Sequence, residues 1–185
     1  EYYTSLLQCS FHDLAKFYDK EIILADRKTT EQGDEKIIAE AQNKDVAFLV
    51  IGDPFSATTH VQLLKLAKEK NVKVEIIHNA SVLTAIGETG LELYKFGKTT
   101  SVPFLEDHPT LETPYNVIKE NGDLHTLCLL DLKPRQDKFM TVKEALEILE
   151  NIEERKKENV IHDKLLVIGC ARLGCSDFKI ISGTL

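Results

Sequence analysis

Six consecutive apolar residues, Val46-Ala47-Phe48-Leu49-Val50-Ile51, constrain this chain more than any other stretch. A run of that length without alternation predicts a strand buried on both faces, as in a parallel sheet covered by helices. Gly52 and Pro54 stop the strand, and Thr58 or Thr59 can cap a helix that starts at once. Open α/β sheets bind ligands in the crevice just past the carboxyl ends of their strands. Asp53 stands at that place and is the first candidate contact.

The surrounding pattern fits the same architecture. Ser10 can cap a short helix with apolar positions Phe11, Leu14, Ala15 and Tyr18. Ile22 to Ala25 reads as a short strand ending at Asp26, and Thr30 to Asn43 carries Ile37, Ile38 and Ala41 at helical spacing. A helix is expected from about Thr59 to Lys70, then a strand through Val72, Val74, Ile76 and Ile77. A short helix through Leu83, Ala85 and Ile86 ends near Gly87 or Gly90. Strand and helix alternate, which is the mark of a parallel α/β layer.

Beyond Leu91 the pattern changes. Leu91 to Phe104 reads as an extended segment leaving the first layer, and His108 to Pro114 as a surface loop. A short helix near Tyr115 to Glu120 precedes the turn dipeptide Asn121-Gly122. Leu124 to Leu132 reads as a strand and Lys133 to Lys138 as a mobile polar loop. From Thr141 to Lys157, Val142, Ala145, Leu146, Leu149 and Ile152 form one apolar stripe, and Arg155, Lys156 and Lys157 complement the helix dipole. A last strand, Leu165 to Ile168, leads into Gly169 to Gly174. The division falls near Gly97, giving two α/β domains, residues 1–97 and 98–185.

Composition excludes several functions. A net charge of −7 argues against a generally nucleic-acid-binding surface. No apolar run approaches the ~18 residues that span a bilayer, and no charged-then-apolar leader is recognisable. Cys9, Cys128, Cys170 and Cys175 match no metal-ligand pattern and read as buried free thiols in a reducing compartment, the cytosol. The chain carries neither a Gly-x-x-x-x-Gly-Lys loop nor a Gly-x-Gly-x-x-Gly turn nor a Gly-x-Ser-x-Gly elbow. His60, His78 and His125 are isolated in sequence and read as satisfied structural histidines, not metal ligands. What remains is a set of strand ends. Gly52-Asp53 and Asn79-Ala80-Ser81 should lie side by side, with Asp53 either accepting hydrogen bonds from a ligand or capping a helix. Leu130-Asp131 and Gly169 to Gly174 follow two further strands.

Several blocks carry a resemblance to a known family. Gly52-Asp53-Pro54-Phe55-Ser56-Ala57-Thr58-Thr59-His60, Ile76-Ile77-His78-Asn79-Ala80-Ser81 and Gly90 to Gly97 resemble diphthine synthases. So do His125 to Asp131 and Gly169-Cys170-Ala171-Arg172-Leu173-Gly174, and Glu1 to Ser5 is similar to that family's second strand. Phe55 is closer to the eukaryotic form. The resemblance implies the two-domain α/β fold of the tetrapyrrole-methylase class, with a parallel sheet in the first domain, a mixed sheet in the second and a cofactor cleft between them. It implies a methyltransferase that uses S-adenosyl-L-methionine and releases S-adenosyl-L-homocysteine. The substrate would be a modified histidine of translation elongation factor 2, an intermediate in diphthamide biosynthesis, and the product diphthine methyl ester. Carried over by motif, cofactor contacts fall on Asp53, Ser56, Ser81, Val82, Leu130 and Leu173. No catalytic base is implied, because the sulfonium is already a strong electrophile and attack by a neutral amine needs mainly positioning. A homodimer in the cytoplasm is expected.

The family also has a short apolar strand and Gly-rich turn ahead of the position of Glu1, and a cofactor-contacting histidine after Leu185. Its connection between Lys133 and Met140 is usually longer, and its Trp-Arg-Pro element has no counterpart here. Alternative readings are an inactive cofactor-binding module of the same fold, or a sister methylase acting on a tetrapyrrole or RNA. The acidic charge opposes RNA, and the Gly52 to His60 block opposes a tetrapyrrole.

Overall fold

A computed structural model describes residues 9–25, 33–56 and 60–185. The matches at Glu1 to Ser5, the caps Thr58 and Thr59, Asp26 and Thr30 lie outside them. The chain divides into two compact units, Glu1–Ala85 and Ile86–Leu185.

Local signals set the helices of the first unit. Helix α1, Phe11–Tyr18, starts at Ser10, whose Oγ accepts the Asp13 N–H at 3.1 Å while Asp13 Oδ2 accepts the Ser10 N–H at 3.0 Å. Two orphan donors of the first turn are satisfied reciprocally, as the sequence predicts. Helix α2, Asp34–Ala41, and helix α3, Val61–Glu69, pack together and bury Ile38 and Ala67. Val82–Ala85, α4, runs directly into a 3₁₀ turn, Ile86–Thr89, that stops at Gly90 with φ +84°. The positive φ is the reason for glycine there.

The two predicted strands of this unit are corrected. Neither Val46–Ile51 nor Val72–Ile77 forms a ladder among the described residues, and Val46, Leu49, Ile51, Val74, Ile76 and Ile77 are exposed. An apolar run states a preference for a doubly covered strand position. The ladder and the cover must come from other segments, which no local pattern specifies.

Parallel pairing is found in the second unit instead. Strands β1, Thr100–Val102, and β2, Cys128–Leu130, pair Thr100 with Cys128 and Val102 with Leu130, and a Phe96–His125 bridge precedes them. Val102 and Thr100 point inward and Ser101 outward, the period of two that one buried face requires. The segment Leu91 to Phe104 is therefore a 3₁₀ turn, Leu93–Lys95, followed by a strand. Helix α5, Thr113–Asn121, begins with Pro114 and ends at Gly122, φ +56°. The loop read as mobile is a tight hairpin: β3, Leu132–Lys133, pairs antiparallel with β4, Lys138–Phe139, around a 3₁₀ turn at Pro134–Gln136. Lys133 pairs with Glu106 at 2.8 Å and Asp107 at 2.6 Å, and Lys138 lies 4.1 Å from the Phe104 ring centroid. These contacts, set by residues some 27 positions upstream, are what a local reading of polarity misses.

Helix α6, Val142–Lys156, is capped by Thr141 and Glu144 in the same reciprocal manner as α1. It buries Ala145, Ile148, Leu149 and Ile152 against Val102, Phe104, Tyr115, Met140 and Ile161. Ile148 belongs to the buried stripe although the sequence reading left it out. Strands β5, Leu166–Ala171, and β6, Lys179–Thr184, close the chain as an antiparallel hairpin. Among the described residues the second unit holds one parallel and two antiparallel pairs in three separate two-stranded sheets, where a single mixed sheet is expected. The four cysteines are free: Cys175 is buried, Cys128 and Cys170 half-buried, but Cys9 is exposed, so burial does not hold for all four.

Candidate functional site

The turns at Gly52-Asp53 and His78 to Ser81 lie side by side in the first unit, joined by hydrogen bonds. Gly52 has φ +90°, and a Cβ placed on it would stand 3.5 Å from the Ala80 carbonyl oxygen. The positive φ is what favours glycine there; the distance to Ala80 would be an ordinary contact for a Cβ.

Asp53 ties those turns together. Its Oδ1 accepts the Phe55 N–H at 2.9 Å and the Ser56 hydroxyl at 3.4 Å. Its Oδ2 accepts His78 Nδ1 at 2.8 Å and the Asn79 N–H at 3.3 Å. An ionised carboxylate offers about four acceptor positions, and all four are used. The Phe55 amide first, and then His78, hold its carboxyl down at about 2. Asp53 is 12% exposed, whereas His78 is 70% exposed with the Phe55 ring beside it. Because the carboxylate can only accept, His78 Nδ1 carries the proton of this bond, and in the neutral imidazole Nε2 is then the lone-pair nitrogen. The expectation that His78 is an isolated structural histidine misses this pair, which arises from residues 25 apart.

Ser81 sits three residues further on. Its Oγ accepts the Leu83 N–H at 3.2 Å, and Thr84 Oγ1 donates back to the Ser81 carbonyl at 2.9 Å. Ser81 therefore caps α4, and Val82 is its first residue. His60 Nδ1 lies 3.1 Å from the Pro54 carbonyl and its ring meets Phe48 edge-on.

Leu130 and Leu173 lie in the second unit and are described there. Leu130 closes β2 and packs against the core. Asp131 follows it, buried, with Oδ2 accepting the Phe104 N–H at 3.3 Å and Oδ1 the Leu132 N–H at 2.9 Å. Leu173 is half-buried in the turn between β5 and β6, between Arg172 at φ +57° and Gly174 at φ +82°. Arg172 Nε donates to Asp177 at 2.9 Å and braces that turn. His125 is not a satisfied histidine: its Nε2 is buried without a partner among the described residues.

Residues 3–185 match the family described as Tetrapyrrole (Corrin/Porphyrin) Methylases. The chain is 44% identical over 204 residues to a diphthine methyl ester synthase from Dictyostelium discoideum, covering 100% of this chain and 75% of that protein. The chain belongs to the diphthine synthase family. An archaeal diphthine synthase from Methanococcus aeolicus is 44% identical over 186 residues, 99% of this chain and 72% of its own length. A solved diphthine synthase structure superposes with TM-score 0.83 at 36% identity, over 98% of this chain and 68% of that one. The α/β fold of these methylases is thus the fold of this chain. Among its described residues no helix is long and apolar enough to cross a membrane.

The donor set of the first unit fits a cationic, hydroxyl-bearing cofactor such as S-adenosylmethionine. It offers one ionised carboxylate and the hydroxyls of Ser56 and Ser81, both already placed at turn ends.

Proposed function

We propose that the chain is an S-adenosylmethionine-dependent methyltransferase of diphthamide biosynthesis, methylating the modified histidine of translation elongation factor 2 and forming diphthine methyl ester. The meeting of Gly52-Asp53 with His78 to Ser81 carries the reading, because those two blocks hold the family-type cofactor positions and are joined by the Asp53 hydrogen bonds. The relatives' names favour this over an inactive binding module, and over a methylase of tetrapyrroles or RNA.

In this reading the bound cofactor supplies a methyl group on a positively charged sulfur. Asp53 and Ser56 hold polar groups of the cofactor, Ser81 and Val82 contribute at the start of α4, and Leu130 and Leu173 give apolar contact. A group that reaches Asp53 must share or replace one of its four donors. The longest bonds, from Ser56 at 3.4 Å and Asn79 at 3.3 Å, are the easiest to exchange. The remaining chemistry is positioning and the exclusion of water from the attacking group. The same proposal includes the cytoplasm as location, a homodimer, elongation factor 2 as the protein partner and the domain division near Gly97.

Mass spectrometry of elongation factor 2 carrying the diphthamide precursor, after incubation with the chain and S-adenosylmethionine, tests the activity; added methyl mass is expected, and none would remove the proposal. Asp53→Ala should weaken binding of S-adenosylhomocysteine in calorimetry by about tenfold or more, the scale of a lost charge-assisted hydrogen bond. Unchanged affinity would make Asp53 a turn brace alone.

A further inference from the structure

We propose that His78 is the proton acceptor for amine methylation, with Asp53 as the residue that orients it. The inference rests on the methyltransferase reading and goes beyond it, since that reading implies no base.

Three observations carry it. His78 Nδ1 donates to Asp53 at 2.8 Å, which fixes the ring tautomer and leaves the Nε2 lone pair for another partner. The imidazole is 70% exposed while its orienting carboxylate is 12% exposed, so the anchored edge is inward and the reactive edge is open to a substrate. His78 also lies between the proposed cofactor contacts, with Asp53 and Ser56 on one turn and Ser81 and Val82 on its own. A base oriented by a second group through its far nitrogen is the arrangement that general-base catalysis requires. Asp53 is the charged group hydrogen-bonded to the imidazole among the described residues, and the Phe55 ring stands beside it, with centroids 6.3 Å apart. The Asp53 carboxyl, held down at about 2, keeps its negative charge beside Nδ1.

The chemical step balances without a further reagent. A neutral substrate amine forms the new C–N bond as the C–S bond breaks, and sulfur keeps the electron pair. The nitrogen now bears a proton that must leave before it can attack again. That proton passes to His78 Nε2 and then to solvent. Methylation of a carboxylate to an ester releases no proton, so the two products of the proposed reaction differ in their need for this base.

That difference supplies the test. The full chain and His78→Gln are each incubated with S-adenosylmethionine and precursor-bearing elongation factor 2, and N-methylated and esterified products are counted by mass spectrometry. N-methylation should slow by at least about tenfold, the low end because solvent can also take the proton. The ratio of ester formation to N-methylation should rise by the same factor. Equal ratios in both proteins would overturn the proposal, and a wild-type chain that makes neither product would remove the methyltransferase reading with it. Nitrogen-15 NMR of the His78 ring at alkaline pH gives a second readout that needs no cofactor. The proton should reside on Nδ1 in the wild type and spread over both nitrogens in Asp53→Ala. A ring tautomer indifferent to Asp53 would overturn the orienting role.

Discussion

Asp53 and Glu153 are two carboxylates in nearly the same electrostatic state, put to opposite uses. Each accepts four hydrogen bonds. Asp53 takes two backbone amides, the Ser56 hydroxyl and His78. Glu153 takes the amides of Asn159 at 2.7 Å, Val160 at 2.7 Å and Ile161 at 2.9 Å, and the Tyr115 hydroxyl at 2.8 Å. Both carboxyls are held at about 2, Asp53 chiefly by the Phe55 amide and Glu153 chiefly by the Ile161 amide. What differs is the fourth donor. At Glu153 it is a tyrosine with no exposed surface, lodged in the core of the second unit; at Asp53 it is a largely exposed imidazole. The first arrangement locks the chain that follows α6 onto a packed interior. The second spends the same kind of bond on aiming a side chain outward. A fully subscribed carboxylate therefore does not by itself separate a structural brace from a functional one; the exposure of the group it holds does.

The comparison breaks most readily at Tyr115. Its ring is fully buried in the core with Val102 of β1 and Ala145, Ile148, Leu149 and Ile152 of α6, and burial together with Glu153 raises its hydroxyl well above the ordinary tyrosine range. Tyr115→Ala should cost about 3–5 kcal/mol, the sum of lost transfer energy and the cavity left behind. Urea denaturation followed by circular dichroism measures it. A loss below about 1 kcal/mol would show that the second unit is not organised by this core.

How much of this was legible beforehand depends on distance along the chain. The cap at Ser10, the helix start at Thr141 and the turn at Asn121-Gly122 depend on neighbouring residues and are read directly, and of the two stops expected at Gly87 or Gly90 the positive φ is at Gly90. Glu153 carries no signal in the local pattern, because its partners lie six to eight residues on and at Tyr115. Asn121 read as half of a turn dipeptide, yet its amide holds both backbone groups of Lys98 and the Thr126 hydroxyl. That the turns at Gly52-Asp53 and Asn79 to Ser81 lie together follows from the local pattern, while the bond from Asp53 to His78 required knowing how the two turns meet. The strands expected at Val46–Ile51 and Val72–Ile77 form no ladder among the described residues for the same cause: pairing is a property of two segments, and the sequence of one names only its preference.

A smaller effect is expected on acid unfolding. The folded-state value of Glu153 lies below its ordinary 4.5, so the stabilisation it gives is complete above that pH and is lost as pH falls towards about 2. Glu153→Gln should lower Tm by a few degrees at neutral pH and by less in acid, flattening the dependence of Tm on pH between about 4.5 and about 2. Thermal melts across that range give the measurement. Parallel curves for the two proteins would mean that the four hydrogen bonds are formed by a carboxyl that gains nothing from being ionised.

The smallest change should come from His78→Ala, and its smallness is what makes the contrast sharp. His78→Ala and Tyr115→Phe each delete one donor to a carboxylate that keeps three others. At Tyr115 the lost bond is part-buried and to a charge, and a cost of about 1–2 kcal/mol is expected. At His78 water replaces the imidazole at an exposed edge, so the unfolding midpoint in urea should match the wild type within error, as for most surface substitutions. If His78→Ala instead destabilised the first unit as much as Tyr115→Phe destabilises the second, the imidazole would be a structural clasp joining the Gly52 and Ala80 turns, and its position beside Ser81 would follow from folding alone. Equal midpoints leave the Asp53–His78 bond without a stability role, and the orientation of an exposed Nε2 is then what the bond accomplishes.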